Sequence, residues 1–475
     1  MGSGDEDLAG RRQAAAGQRG DGGARLSAVE VPGGHAGPAV APAAQAPGLS
    51  RQATVPSAPR APIRAMLAKA TARHAVRRLP FSIAVPGGGG AGTCRSGGPV
   101  LRLRRPEAFY RRLGAGGLIG FGEAFQAGDW DSEDLPGLLA VFAAGVDTII
   151  PPWLQRVRGY SAAPRRPREE RQTIDGARRN ARHHYALPDE LFRSFLDETM
   201  CYSSAIFPVG EDGGVIAEDT ALAEAQRRKI DRLLDLAGVR DGTRVLEIGT
   251  GWGELAVRAA QRGALVHAVT NMAEHAAFAR DRASRAGVAS QVRVDLLDYR
   301  ELAAADGGYD AIISVEMIEA VGRHYWPGYF RALEELLAPQ GRIGLQAMTM
   351  RHDRMIRTSV TYTWIDKYIF PGGLIPSLHG IEQALTRHTG LRVVDRSAFG
   401  AHYRATLALW RARFNRNWPS VAELGFDETF RRTWDLYLAF SEAGFAAGYL
   451  DVHQFLITRH PPAKSPAGDI RQSPG

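Results

Sequence analysis

A short apolar run that ends in an acidic residue and three alternating glycines is the strongest chemical signal in the chain. The segment reads Val245-Leu-Glu-Ile-Gly-Thr-Gly-Trp-Gly253. Glycines at 249 and 251 allow a sharp turn and a close approach of backbone to ligand, where a Cβ would interfere. The dinucleotide fingerprint places its third glycine one residue later. A plain strand–turn–helix corner seldom needs three alternating glycines, so the segment predicts a site for S-adenosylmethionine, with Glu247, Gly249, Gly251 and Gly253 binding it.

A second acidic signal, Asp298-Tyr299, follows the third predicted strand. An adenine amine could donate to Asp298 while Tyr299 packs on the ring; the alternative is an Asp that caps the following turn. Thr270 ends the second predicted strand, where many enzymes that use S-adenosylmethionine carry an acidic residue that binds the ribose. Here a hydroxyl would have to serve, or Glu247 would take both ribose oxygens.

Strands and helices alternate through the second half of the chain. This order indicates an α/β fold with a doubly wound, mostly parallel sheet. Ligands of such sheets bind beyond the carboxyl ends of the strands, which is where the glycine run falls. The predicted strands are 244–248, 265–270, 292–296, 311–315 and 341–347, and the predicted helices include 254–260, 272–286 and 325–337.

Composition divides the rest of the chain. Residues 1–65 are rich in Ala, Gly, Pro and Arg and are predicted to be disordered, because they cannot bury enough apolar area to offset the entropy of ordering. Residues 66–155 are predicted to form a small domain, with strands at 79–85 and 100–103 and helices at 106–113 and 135–144. A linker over 156–182, the large α/β region over 183–460 and a frayed tail over 461–475 complete the prediction.

The chain is basic, with a net charge of +8 and a pI of about 9.6, so a polyanionic partner is expected. Nine Arg and three acidic residues occupy positions 155–182. This segment is either a surface for anionic lipid headgroups or a solvated connector. Nucleic acid is disfavoured, because aromatic residues are sparse there and no nucleic-acid reading motif occurs.

The sequence also allows predictions of the cellular compartment and of metal binding. Cys94 and Cys201 are the only cysteines, which fits a reducing compartment. The most apolar stretch, 135–154, is broken by prolines and an aspartate and cannot make a spanning helix. We therefore expect a cytoplasmic protein that attaches peripherally to membranes. His183 and His184 have no third ligand at a useful spacing, so no metal site is predicted.

Several further runs carry a resemblance to a known family. These runs are His184-Tyr185, 191–197, 200–207, 246–253, 314–322, 368–373, 399–403 and 434–455, with a weaker match in the small domain through 127–130. In them the chain resembles the cyclopropane-fatty-acyl-phospholipid synthases, which include the mycolic acid cyclopropane synthases. The resemblance implies the seven-stranded, Rossmann-like fold of class I methyltransferases and transfer of a methyl group to the double bond of an unsaturated phospholipid acyl chain.

The chemistry explains why this family needs an enclosed base. An alkene is a poor nucleophile, so attack on a methyl sulfonium requires close placement in a dry pocket. The attack leaves a carbocation, and a proton must leave the transferred methyl before a ring can close. In this family a bound bicarbonate is thought to take that proton. The resemblance assigns its binding to Ser204, Glu319, Gln346, Tyr403 and the backbone of Met348.

Two of these positions depart from the best-known members. Ser204 stands where they carry Cys, and Gln346 where they carry His. Gln346 cannot become cationic and would hold an anion less firmly than a protonated His. The resemblance also assigns Tyr202 and Ser203 to the methionine part of the cofactor and brings His275 near it, although a lone His on a helix is more often a surface residue. Cys201 is expected to be a buried structural thiol.

Aromatic side chains in the last third suit an acyl-chain tunnel and could stabilise a passing cation, with ordinary core packing as the alternative. The leading interpretation is an S-adenosylmethionine-dependent enzyme that forms cyclopropane acyl chains. The alternatives are a methyl- or methylene-branched product made with a reductase or desaturase partner, a non-catalytic lipid-binding protein, and a methyltransferase for small polar substrates. The N-terminal domain is a candidate for pairing two copies. The aromatic residues are Tyr362, Trp364, Tyr368, Phe370, Tyr437, Phe440, Phe445 and Tyr449.

Overall fold

The computed structural model describes residues 54–87, 98–145, 167–303 and 307–459. Its N-terminal part contains a small sheet in which β1 pairs parallel with β2, and β2 pairs antiparallel with β3. The strands are β1 (Ser82–Ala84), β2 (Val100–Leu103) and β3 (Trp130–Asp131), and the helices are α1 (Pro62–Arg78), α2 (Pro106–Gly116), α3 (Leu118–Gln126) and α4 (Leu135–Ala144).

Helix α1 begins three residues before the expected limit of the disordered segment at residue 65; residues 1–53 lie outside the described residues. The sequence carried two helix signals, a proline in the first turn and Arg77 and Arg78 in the last. The strand expected over 79–85 is shorter than predicted, since β1 spans Ser82–Ala84.

The second half of the predicted linker contains a helix. Helix α5 (Ile174–Tyr185) is capped by Thr173, whose hydroxyl accepts a hydrogen bond from the Gly176 N–H at 3.1 Å. A helix can still connect two parts of the chain, so the lipid surface and the solvated connector both stay predictions for this segment. Positions 155–166 and the tail 461–475 lie outside the described residues.

The large region contains a sheet with the order β6-β5-β4-β7-β8-β10-β9. The six pairings are parallel except those of β10, which runs antiparallel to both β8 and β9. The prediction of a mostly parallel, doubly wound sheet is confirmed. The strands are β4 (Arg244–Ile248), β5 (Leu265–Thr270), β6 (Val292–Leu296), β7 (Tyr309–Val315), β8 (Leu337–Met350), β9 (Leu391–Ala398) and β10 (Leu450–Arg459).

Helices flank this sheet and continue past it into an aromatic-rich core. Short 3-10 turns occur at Arg168–Glu170, Asp219–Ala221, Tyr299–Glu301 and Arg323–Tyr325. The helices are α6 (Asp189–Arg193), α7 (Leu222–Leu236), α8 (Glu254–Gln261), α9 (Ala273–Arg285), α10 (Ile318–Val321), α11 (Trp326–Leu336), α12 (His352–Ser359), α13 (Trp364–Tyr368), α14 (Leu378–His388), α15 (Gly400–Arg416), α16 (Trp418–Glu423) and α17 (Glu428–Ala446).

Helix α3 joins the N-terminal part to the large region. Gln126 receives a hydrogen bond from the Trp364 indole at 2.9 Å and donates one to the Thr433 hydroxyl at 2.8 Å. Gly122 lies so close to the Trp364 ring that an added Cβ would be 2.4 Å from Cδ1. Across the described residues, helices long and apolar enough to cross a bilayer are absent.

Candidate functional site

The three glycines between β4 and α8 all have left-handed backbone, but Gly251 and Gly253 have different structural roles. The φ angles are +86° at Gly249, +51° at Gly251 and +85° at Gly253. An added Cβ on Gly251 would meet nothing within 4 Å, whereas one on Gly253 would lie 2.7 Å from the Ala279 Cβ. Gly251 therefore leaves free space at the strand end, and Gly253 allows α8 to pack closely on α9.

Glu247 lies at the end of β4 and is 4 % exposed. Its Oε2 accepts a hydrogen bond from the Thr250 hydroxyl at 2.8 Å. Burial raises the pKa of Glu247 to about 8, against the Thr250 hydrogen bond and the charge of Lys229, which lower it. A cationic ligand beside this carboxyl group would favour its ionised form.

At the ends of β5 and β6, side chains predicted to bind the cofactor already have protein partners. The Thr270 hydroxyl accepts from the Met272 N–H at 3.2 Å. Asp298 accepts from Nε and Nη2 of Arg300, each at 2.7 Å, and caps the following 3-10 turn, as the alternative interpretation expected. Tyr299 packs edge-to-face on Tyr329 at 5.4 Å in the core.

Two buried polar atoms near this edge have no hydrogen-bond partner, namely Asn271 Oδ1 and His275 Nε2. His275 is buried between Trp252 and Tyr185, with ring centroids 4.4 Å and 5.2 Å away, so its interpretation as a surface residue was wrong. Burial lowers the pKa of His275 to about 4 and keeps the ring neutral. The unpartnered atoms and the free space at Gly251 fit a bound nucleoside such as that of S-adenosylmethionine.

Two side chains of α7 fix the loop over 201–204. Gln226 donates to the Ser203 carbonyl at 2.9 Å, and the Lys229 ammonium donates to the Ser203 hydroxyl at 2.5 Å. Lys229 is 1 % exposed. In the neighbouring position, burial raises the pKa of Cys201 to about 11, so its thiol stays protonated. The Tyr202 hydroxyl lies 2.7 Å from that of Tyr437.

Glu316 is the centre of the site. It follows β7 with a φ of +49°, which is rare outside glycine. Its Oε1 accepts from the Ser204 N–H at 2.9 Å and from Gln346 Nε2 at 2.8 Å, and its Oε2 accepts from the Tyr403 hydroxyl at 2.6 Å. Three groups assigned by resemblance to a bicarbonate thus converge on a carboxylate of the chain itself.

Glu319 lies one helical turn later and has different surroundings. Its Oε1 accepts from the Met348 N–H at 2.6 Å, while its buried Oε2 has no hydrogen-bond partner. Burial, followed by the negative charge of Glu316, raises the pKa of Glu319 to about 8. The pKa of Glu316 is also raised by burial, but its three donors and the charge of Lys229 oppose the shift. The two carboxyl groups therefore differ in their tendency to hold a proton.

A chain of amides supports Glu316 from behind. Gln346 accepts at its Oε1 from Gln454 Nε2 at 3.0 Å, and the same Nε2 lies 3.0 Å from the Lys229 carbonyl. The Ser204 hydroxyl turns to the Ala205 carbonyl at 3.1 Å, so only the backbone of Ser204 contacts Glu316. The replacement of Cys by Ser at 204 therefore leaves this contact unchanged.

An aromatic wall lies behind the loop. His184 is 1 % exposed and is stacked between Tyr202 and Trp434, with centroids 5.6 Å and 5.7 Å away. Phe370 lies 4.2 Å from the same ring, and Tyr437 lies 5.7 Å from Phe370. Burial lowers the pKa of His184 to about 3, so the wall is uncharged.

Part of the aromatic run over 362–370 contacts the N-terminal part. The Tyr368 hydroxyl donates to Glu123 of α3 at 2.9 Å, whereas the Tyr362 hydroxyl donates to Glu170 in the 3-10 turn before α5 at 2.8 Å. Trp364 meets α3 as described above. For these three side chains the core-packing alternative describes what the structure has. In the last third, Phe445 lies 4.6 Å from the Tyr403 ring, Arg354 covers the Tyr449 ring at 5.5 Å, and Phe440 is 50 % exposed.

Sequence reasoning missed Glu316, Lys229 and Gln454. A signal existed for Glu316, since two glutamates three residues apart follow an apolar strand. Lys229 also had one, because it stands in the apolar stripe of α7 between Ala225 and Leu233.

Comparison with known proteins gives consistent matches. The family model described as mycolic acid cyclopropane synthetase matches residues 172–455. The tuberculostearic acid methyltransferase UfaA1 of Mycobacterium tuberculosis is 48 % identical over 414 residues, which cover 86 % of this chain and 95 % of that protein. The cyclopropane-fatty-acyl-phospholipid synthase of Escherichia coli K12 is 30 % identical over 364 residues, covering 76 % and 87 %.

Solved structures agree. The cyclopropane synthase MmaA2 of Mycobacterium tuberculosis has a TM-score of 0.52 and 29 % identity, covering 59 % of this chain and 97 % of that one. The mycolic acid cyclopropane synthase CmaA1, complexed with SAH and CTAB, has a TM-score of 0.52 and 28 % identity, covering 62 % and 98 %.

Proposed function

Because the chain belongs to the mycolic acid cyclopropane synthetase family of S-adenosylmethionine-dependent methyltransferases, we propose that it methylates the double bond of an unsaturated acyl chain and uses Glu316 as its base. The observation that carries this proposal is the convergence of Ser204, Gln346 and Tyr403 on one carboxylate. The three hydrogen bonds orient this carboxylate and favour its ionised form, which opposes the rise in its pKa that burial causes.

The reaction requires one proton acceptor. S-Adenosylmethionine supplies an electrophilic methyl group, to which the alkene π electrons form a carbon–carbon bond as the carbon–sulfur bond breaks. The adjacent acyl carbon becomes a cation, and loss of a proton from the substrate restores a neutral product. Glu316 would accept that proton, while the neutral wall around His184 keeps water away.

The pair of carboxyl groups suits this task. Glu319, with a pKa of about 8, holds its proton at neutral pH, so it does not compete as a base and does not repel the charge on Glu316. Environments that push two pKa values apart are typical of acid–base pairs in active sites.

Bicarbonate fits this arrangement poorly. The donors expected to hold it are engaged: Ser204, Gln346 and Tyr403 donate to Glu316, and the Met348 N–H donates to Glu319. A bicarbonate would have to displace the Glu316 side chain to gain the same hydrogen bonds. We therefore assign no step to bicarbonate.

The product that we propose is a branched chain. After methylation, a hydride shift to the neighbouring cation followed by proton loss from the new methyl group gives a methylene branch. Reduction to a methyl branch would then require a reductase partner. The name of the relative at 48 % identity, a tuberculostearic acid methyltransferase, supports methylation of a fatty acyl chain. The name of the Escherichia coli relative supports a phospholipid as the carrier of that chain.

Cyclopropane formation is the second candidate, because several relatives are named for it. Both outcomes follow from the same cation and differ in whether the hydride shift precedes proton loss.

Isotope labelling separates the outcomes. The purified chain would be given methyl-deuterated S-adenosylmethionine and vesicles of a phospholipid with one olefin per acyl chain, deuterated at both olefinic carbons. The proposal expects one former olefinic carbon to carry a methylene group with two deuterium atoms, and the other to carry two deuterium atoms, one of them migrated, as read by NMR. A three-membered ring with one deuterium on each ring carbon of the original olefin would establish the second candidate. Absence of labelled lipid from folded, cofactor-binding protein would overturn both.

A further inference from the structure

Helix α1 turns apolar side chains toward solvent. Ile63, Met66 and Leu67 are 71 %, 66 % and 50 % exposed. The same helix, PIRAMLAKATARHAVRR, carries five Lys or Arg residues and no acidic residue. A surface helix normally places its apolar stripe on the protein core. On α1, in contrast, three apolar side chains are exposed to solvent among basic residues.

The neighbouring helices extend this surface. An added Cβ on Gly114 of α2 would lie 2.4 Å from the Arg64 carbonyl oxygen, so the first half of α1 lies directly on α2. Gly117 lies between α2 and α3. Leu118, the first residue of α3, is 64 % exposed.

A second apolar group lies in the segment that follows β8. Val360 is 83 % exposed and Ile356 is 38 % exposed at the end of α12. In the same segment Arg351 and Arg357 are 72 % and 60 % exposed; both pair with Asp353, so the two arginines and the aspartate carry a net positive charge. Helix α12 begins two residues after β8, the strand that carries Met348 to the site.

The contact between α3 and α13 connects the two groups. Gly122 of α3 touches the Trp364 ring, Leu118 lies four residues before Gly122, and Val360 lies four residues before Trp364. Chain geometry then limits the separation of Leu118 and Val360 to about 30 Å. The two groups are therefore close enough for one bilayer surface to contact both.

We propose that Ile63, Met66, Leu67, Leu118 and Val360, together with the basic residues of α1 and α12, form a docking face for an anionic lipid bilayer. The docking face pairs apolar side chains that enter the headgroup boundary with cations that attract anionic headgroups. This inference rests on the proposed function, because an acyl chain must leave a bilayer to reach Glu316. The face places that bilayer beside the end of β8.

Vesicle co-sedimentation tests the docking face. The full chain would be mixed with vesicles of phosphatidylcholine alone, or with vesicles in which phosphatidylglycerol replaces part of it. Binding should require the anionic lipid and weaken with added salt. M66D/L67D and V360D should each weaken binding by about tenfold or more, because a carboxylate is excluded from the headgroup boundary and repelled by it.

The control is L265D. Leu265 is 53 % exposed at the amino end of β5, the edge of the sheet opposite the site, so this variant adds the same charge away from the docking face. It should bind vesicles like the wild type. Unchanged melting temperature and cofactor affinity would show that each variant is folded.

Normal vesicle binding by folded M66D/L67D and V360D would overturn the proposal, as would wild-type binding that ignores phosphatidylglycerol. A change in oligomeric state by sedimentation velocity without a change in vesicle binding would show that the face pairs two copies and would equally overturn it. Vesicle binding without methyl transfer would refute the proposed function and leave the docking face standing.

Discussion

The phenolic hydroxyl of Tyr403 donates to the carboxylate of Glu316 across 2.6 Å. Tyr403 comes from α15 and Glu316 directly follows β7, so the contact joins this helix to the edge of the sheet that holds the candidate site. Burial and the nearby carboxylates raise the pKa of Tyr403 well above its usual value, which keeps the hydroxyl a donor. The donor fixes one oxygen of Glu316 and leaves its charge intact.

Lys229 should tune the base from behind. Its buried charge lowers the pKa of both Glu316 and Glu247. Replacing Lys229 by Met removes that charge, so Glu316 should hold its proton to higher pH and the acidic limb of the pH–kcat profile should move upward. The rate at neutral pH should fall, because a smaller fraction of Glu316 is ionised there. Lys229→Arg keeps the charge and should restore the profile toward the wild type; an unmoved limb in folded Lys229→Met would contradict the assignment.

Gly251 should matter for ligand binding more than for folding. A Cβ there meets open space, but φ is +51°, so Gly251→Ala should cost about 1–2 kcal/mol of stability from backbone strain. Gly287 is the matched control, because its φ is +72° and its Cβ would also meet nothing within 4 Å. Both variants should lose similar stability in denaturant titrations. Calorimetry should show weaker S-adenosylmethionine binding for Gly251→Ala alone, and equal affinities would refute a ligand at this turn.

Glu319 should make stability depend on pH. Its pKa is about 8 in the folded protein against an ordinary 4.5, so between these values the folded chain keeps a proton that the unfolded chain releases. Stability from this group is complete below pH 4.5 and is lost as pH rises toward 8, by about 1.4 kcal/mol per pH unit. Glu247 adds a slope of the same sign. Glu319→Gln should flatten the dependence measured by denaturant titration, whereas an unchanged slope would count against a buried, protonated Glu319.

Gly122 should be essential for the joint between α3 and α13. Gly122→Ala forces a methyl group into the Trp364 ring and should cost about 1–3 kcal/mol. Gly116→Ala is the helical control, because its Cβ would meet nothing within 4 Å, and it should stabilise by about 0.5–1 kcal/mol. Melting temperatures would distinguish the two variants. If Gly122→Ala were as stable as the wild type, the contact between α3 and α13 would have to rearrange at little cost.

The sequence predicted the parts of this protein that depend on local pattern. Strand β4, the glycine run and the alternation of strands with helices follow from periodicity and turn chemistry, and the structure has them at the expected positions. Helix α1 was not predicted, because its few apolar residues are spread among Ala and Arg and do not form an apolar stripe that would face a core.

The site itself depended on long-range contacts. Ser204, Gln346 and Tyr403 were identified by resemblance, but their common acceptor was not, because Glu316 enters the site only through its left-handed backbone at the end of β7. At Asp298 the sequence pattern predicted a contact with the adenine of the cofactor. In the structure this carboxylate forms an ion pair with Arg300, which the sequence pattern did not predict.

The most direct test of Glu316 as the base is the rate of methyl transfer in buffer depleted of carbon dioxide. We expect the wild type to keep its full rate there and to gain nothing from added bicarbonate. Glu316→Gln should lose about 100-fold or more in kcat while still binding S-adenosylmethionine. A wild-type enzyme that stops without bicarbonate, or a Glu316→Gln variant that turns over normally, would contradict the account.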